Sequence, residues 1–251
     1  MEFAFTEEQE MIRDTAAAFL AEVSDSESVR RAMVTELGYE PELWQRICAE
    51  MYWQAIHIPE QYGGMGLGYV ELVATLEQMG RHLLCTPFFS TVCLAGNALL
   101  VAGSEEQKQH WLGRMCEARL TATLAFNGGH ARWDAEAVSA TWRREGDGFV
   151  LDGDYRYVID GHSADLLVVA ARQEGSAGES GISLFLLPAD TPGVSRQWLP
   201  TMDQTRRQAQ VTLNSVQLSA DALMGEAGEG WPLLARVLDL ATIALAAEQV
   251  G

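Results

Sequence analysis

Apolar positions recur at helical spacing through the first half of the chain. Met11, Ile12, Thr15 and Phe19 fall on one face behind Thr6 and Gln9, a capping-box pair whose side chains satisfy each other's backbone N–H, and predict a helix over about 7–21. Leu43, Trp44, Ile47 and Met51 repeat at the same spacing, as do Tyr69, Leu72, Val73, Leu76 and Met79, where Gly80 reads as a C-terminal stop. Pro87 opens a further helix to Val101 that Gly103 ends, and Ser104 with Gln107 repeats the capping box before Trp111 and Leu112. The sequence predicts a helical bundle up to about residue 115. Ile58 to Gly68, with a proline and four glycines between helices, reads as a loop and lacks the strand context of a dinucleotide fingerprint.

From Leu120 the pattern shortens. Segments at Leu120–Phe126, Ala137–Trp142, Phe149–Asp152, Leu166–Ala171, Ile182–Leu187, Val194–Leu199 and Gln210–Leu218 are rich in Val, Thr, Leu and aromatics and are separated by turn residues. Seven strands with no helix between them predict a compact antiparallel barrel or sandwich. Helical spacing returns at Leu233, Leu234, Val237, Leu238, Leu240 and Ile243 and continues to Gly251. The fold class is therefore α+β: an N-terminal helical domain over 1–117, a middle β domain over 118–224, and over 225–251 the first helix of a C-terminal helical domain. That helix is expected to need a packing partner from outside these residues.

Composition narrows the chemistry. Seventeen Lys plus Arg against 35 Asp plus Glu give a net charge of −18, which argues against nucleic acid as a partner, because phosphate backbones are bound through clustered cations. No apolar run nears the roughly 20 residues of a membrane span, so membrane insertion is not expected and a cytoplasmic location is. Cys48, Cys85, Cys93 and Cys116 sit in apolar segments and read as small buried hydrophobes, and the five scattered histidines predict no metal site. Glu71 and Glu77, six apart on one helix, do not share a face for acid–base work, and Asp134 and Glu136 read as a solvated turn.

Several segments, in order, carry a family resemblance: Phe5 to Gln9, Ile58-Pro59-Glu60 with Tyr62-Gly63-Gly64, Gly103 to Lys108, Gly148 to Gly153, Pro192-Gly193-Val194, and Gly225-Glu226 with Gly228 to Gly230. Over its whole length the chain resembles the acyl-CoA dehydrogenases. The resemblance implies an FAD cofactor, an acyl-CoA substrate, α,β-dehydrogenation to a trans-2-enoyl-CoA, oxyanion-type stabilisation of the thioester enolate, and a homo- or hetero-oligomer. It places flavin beside Phe126, Asn127 and Gly128, where the family has Thr-Glu-Pro and then Gly-Ser-Asp, and beside Tyr157, Val158 and Ile159, where the family has Trp-Ile-Thr followed by Asn-Gly. Both hydroxyl-bearing signatures are changed, so backbone N–H groups over 126–129 and 157–159 become the expected flavin donors, on the outer face of the β domain, with Tyr157 packing on the isoalloxazine.

Asp239 is the substrate-binding position implied by the resemblance, although the family's arginine three residues on is Thr242. The loop Thr201 to Arg207 matches a family loop and reads equally as a solvated turn or a ligand contact. The family's catalytic glutamate belongs to a C-terminal domain beyond these residues, so no catalytic residue is assigned, and the sequence reads as a fragment, a split gene product or a subunit. Two functions follow: an FAD-dependent acyl-CoA dehydrogenase, or a non-catalytic or half-catalytic subunit of a heteromer. An oxygen-using or oxidase relative is a third.

Overall fold

A computed structural model describes residues 4–129 and 132–251. Helices α1 (Glu7–Val23), α2 (Ser26–Val34), α3 (Pro41–Arg46), α4 (Tyr69–Arg81), α5 (Asn97–Ala102) and α6 (Glu105–Cys116) precede the strands, and α7 (Trp231–Val250) follows them. A wide π-helical turn, Ile47–Met51, prolongs α3, and a longer one, Phe89–Gly96, leads into α5. Both predicted capping boxes form, with Gln9 N donating to Thr6 Oγ1 at 3.2 Å and Gln107 N donating to Ser104 Oγ at 3.2 Å.

Gly80 does not stop its helix. It lies within α4, where a Cβ would fall 1.9 Å from the carbonyl oxygen of Glu248, so its bare backbone lets α4 and α7 touch. The terminal helix therefore has partners inside the chain, contrary to the sequence expectation. Leu234, Val237, Leu238, Ala241, Ala244 and Ala247 enter the same core as α1, α4 and α5, and the Tyr69 hydroxyl donates to the Leu240 carbonyl at 2.6 Å. The apolar stripe read as unpartnered is the one that α4 covers.

Eight strands form one open sheet in the order β6-β7-β3-β2-β4-β5-β8, with β1 beside β4. They are β1 (Ala122–Ala125), β2 (Thr141–Glu145), β3 (Gly148–Ile159), β4 (Leu166–Gln173), β5 (Ile182–Pro188), β6 (Val194–Leu199), β7 (Gln208–Leu218) and β8 (Leu223–Met224). The predicted antiparallel barrel or sandwich is corrected on two counts: the sheet does not close into a barrel, since end strands β6 and β8 are not bonded to each other, and it is not purely antiparallel, since β1 and β2 both pair with β4 in parallel.

The reason lies in β4. Leu167, Val169 and Ala171 enter a core made by β2, β3, β5 and β7, while Leu166, Val168 and Ala170 enter the core of the helices. β5 divides in the same way, with Phe185 and Leu187 on one side and Leu184 and Leu186 on the other. A strand buried on both faces loses polar alternation and reads as a continuous apolar run, the mark of a strand that helices can flank and parallel neighbours can join.

Two strand boundaries also move. Residues Ala135–Ala137 make a 3₁₀ turn, and β2 starts only at Thr141, because Arg172 takes the Val138 and Ala140 carbonyls. β3 runs on past Asp152 to Ile159. At Gly153 (φ +141°), where a Cβ would meet Ala140 at 2.6 Å, the register with β7 shifts and the strand continues. Among the described residues no helix is long and apolar enough to cross a membrane.

Candidate cofactor site

β1 and the far end of β3 bring the two sequence-predicted flavin segments together. The Thr123 hydroxyl donates to the Ile159 carbonyl at 2.6 Å, and Arg156 N donates to the Asn127 carbonyl at 2.9 Å. This is possible because β3 breaks register with β7 a second time, between Tyr155 and Val158, freeing Arg156 to bond across to 127. At that break Tyr157 is left-handed (φ +60°) and 49% exposed. Phe126 meets Trp133 edge-to-face at 5.6 Å, and Trp133 is 54% exposed.

The six predicted residues do not contribute alike. Phe126, Asn127 and Gly128 are half-buried beyond the end of β1, Val158 is buried in the β core and can offer a ligand only backbone, and Ile159, half-buried, packs against the helical core. Backbone donors are fewer than expected. Gly128 N already donates to the Ala137 carbonyl at 2.9 Å, and Gly129 N to Asn127 Oδ1 at 2.8 Å. His130 and Ala131, also part of the first segment, lie outside the described residues. What the surface offers is aromatic: Phe126 and Trp133 in contact, and Tyr157 exposed next to Arg156, whose N–H holds the Asn127 carbonyl. That chemistry fits the ring system of a flavin.

Asp239 stands on the exposed side of α7, and the Thr242 hydroxyl is turned onto the Leu238 carbonyl at 2.8 Å. The Asp134–Glu136 turn is surface, with Arg132 paired to Asp134 at 2.6 Å. Burial pushes the Cys48 thiol up to about 12 and those of Cys85 and Cys116 up to about 11, which removes them as nucleophiles near neutral pH.

Next to the second predicted flavin segment sits a buried polar group that the sequence reading did not single out. Asp160 is buried, and Ser90 donates to its Oδ2 at 2.6 Å. Burial raises its carboxyl to about 6, against the opposing pull of the Ser90 hydrogen bond and Arg206. Arg206 pairs with Glu248 of α7 at 2.5 Å and lies 4.6 Å over the Phe89 ring. Arg207 is buried beside it, donating to the Met33 and Thr35 carbonyls at 2.6 and 2.8 Å and stacking on Trp198. The loop Thr201 to Arg207 is thus exposed at Met202 and anchored in the interior at its end. The signal for Asp160 was its place right after Ile159, where the resembling family carries Asn.

Comparison with known proteins identifies the family. Residues 6–119 match the model of the acyl-CoA dehydrogenase N-terminal domain, and residues 128–216 match that of the middle domain. The acyl-CoA dehydrogenase IpdE2 of Mycolicibacterium smegmatis is 32% identical over 246 residues, which are 98% of this chain and 61% of that protein. Among solved structures, a chain described with the electron transferring flavoprotein of Acidaminococcus fermentans aligns at TM-score 0.88 and 28% identity, covering 99% of this chain and 66% of its own. A chain of the ChsE4–ChsE5 complex of Mycobacterium tuberculosis aligns at TM-score 0.86 and 26% identity, covering 99% and 64%. The chain thus spans about two thirds of the length of the proteins it matches. With both domain models matched in order along one continuous fold, the chain belongs to the acyl-CoA dehydrogenase family.

Proposed function

We propose that the protein is an FAD-dependent acyl-CoA dehydrogenase and that these 251 residues supply one wall of its flavin site. The carrying observation is the side-by-side placement of 126–128 and 157–159, joined through Thr123–Ile159 and Arg156–Asn127 in a chain of this family. Bound FAD would accept hydride in the conversion of an acyl-CoA thioester to its trans-2-enoyl-CoA. Phe126, Trp133 and Tyr157 would pack on the ring system and exclude water from it, while Asn127 offers the nearest amide. Asp239 is proposed as the substrate contact on α7. The catalytic base is assigned to no residue of this chain, and in an assembled homo- or hetero-oligomer the remaining groups would come from beyond the residues described.

A visible spectrum of the protein, purified alone and with any co-expressed partner, tests the reading, followed by anaerobic addition of an acyl-CoA. Flavin absorbance that bleaches on addition is the expected result. Absence of flavin from both preparations would overturn it, and flavin that never bleaches with any acyl-CoA would remove the dehydrogenase assignment.

A further inference from the structure

Residues 157–160 contain two left-handed non-glycine positions, Tyr157 at φ +60° and Asp160 at φ +52°. L-residues adopt this conformation at a cost and hold it only where surroundings impose it. The backbone is held on several sides: Thr123 takes the Ile159 carbonyl, Asp160 N donates to the Arg207 carbonyl at 2.9 Å, and the Asp160 carbonyl accepts from Ser163 N and Ala164 N at 3.0 and 2.9 Å. The Asp160 carboxyl group adds a link from this segment to the helices, through Ser90 of the Phe89–Gly96 turn.

We propose that Asp160 is a positioning residue: its carboxyl group, hydrogen-bonded to Ser90, pins residues 157–161 to the Phe89–Gly96 turn, while its backbone N–H, bonded to the Arg207 carbonyl, ties them to the loop whose Arg206 pairs with Glu248 at the end of α7. That the pinned segment is a flavin wall rests on the reading above; the anchor itself does not. A carboxylate so enclosed is poorly chosen for packing alone, since desolvation disfavours its charge and an apolar or amide side chain would fill the space more easily. What it supplies beyond packing is an acceptor for the Ser90 hydroxyl, seventy residues away in the chain. Its backbone N–H meets the Arg207 carbonyl at 2.9 Å, and the preceding residue, Arg206, pairs with Glu248 of α7. Tyr39, Cys85 and Cys93 lie within electrostatic reach of these groups, and burial raises the pKa of all three, leaving them neutral near pH 7, while Arg207, Asp203 and Asp165 are the further charges in the neighbourhood.

Hydrogen exchange over 155–164 in the flavin-free protein, together with FAD titration, tests this with Asp160→Ala, Ser90→Ala and Asp160→Asn. Loss of a buried, charge-assisted hydrogen bond predicts about tenfold faster exchange and about tenfold weaker FAD binding for Asp160→Ala and Ser90→Ala. Asp160→Asn keeps an acceptor for Ser90 and should stay within about threefold of the parent in both readouts, a rescue that general loosening of the fold would not produce. Parent-like exchange in Ser90→Ala, or no rescue in Asp160→Asn, overturns the anchor. If no form binds FAD while exchange accelerates in Asp160→Ala and Ser90→Ala as expected, the anchor stands and the flavin reading falls.

Discussion

Asp160 gives the protein a pH dependence whose sign can be derived. Its carboxyl titrates near 6 in the folded chain and near the ordinary 3.8 when unfolded, so between these values the folded state holds the extra proton. Stability on its account is therefore lowest above pH 6 and rises as pH falls through 6 towards 4, by about 3 kcal/mol at most. Asp25 and Asp152 act oppositely, their carboxyls held below the ordinary range by the Ser28 and Ser215 backbone N–H groups, so their contribution is lost only at lower pH. Urea unfolding from about pH 7.5 down to about pH 5 should show the parent gaining stability relative to Asp160→Asn. A parent-minus-variant difference that stays flat across the window would show that Asp160 does not titrate there. Residue identity alone could not announce this group: an aspartate in an Asp-Gly pair reads as a turn, and only the fold brings Ser90, seventy positions earlier, to its carboxyl.

At the scale of elements, Gly80 reverses a usual expectation. Replacing a glycine inside a helix by alanine normally stabilises by about 1 kcal/mol. Here the added methyl would enter the carbonyl of Glu248, and the overpacking cost of about 1–3 kcal/mol should exceed the propensity gain, so Gly80→Ala is expected to lower the urea midpoint. An unchanged or higher midpoint would mean that α4 and α7 separate freely. The same position shows what the sequence could and could not disclose. Local signals such as the Thr6–Gln9 and Ser104–Gln107 boxes and the β6 range, Val194–Leu199, were legible because they are written in neighbouring residues. Gly80 as a contact, β3 continuing past Gly153 and the parallel pairing of β1 and β2 with β4 were not, because each depends on a segment distant in the chain. The candidate site divides likewise. Its two segments were found from residue order, but that Gly128 and Gly129 already spend their N–H groups at home, that Val158 is buried, and that Ile159 packs against the helical core are tertiary facts.

For the whole molecule, the strands buried on both faces set how it comes apart. β1, β4 and β5 are a party wall: Leu166, Val168 and Ala170 belong to the helical room, Leu167, Val169 and Ala171 to the other, and neither room can be vacated without exposing the shared partition. The helical and β portions should accordingly melt as a single cooperative unit, although the chain order suggests separable pieces. Calorimetry should give one transition with matching van't Hoff and calorimetric enthalpies, and in urea the fluorescence of variants keeping only Trp53 or only Trp142, which report on opposite rooms, should fall on one curve. Two resolved transitions would contradict this. By the same logic, expressing 1–117 apart from the rest would strand the apolar side of β4 in water, and each piece should aggregate on its own while the two refolded together recover one soluble species.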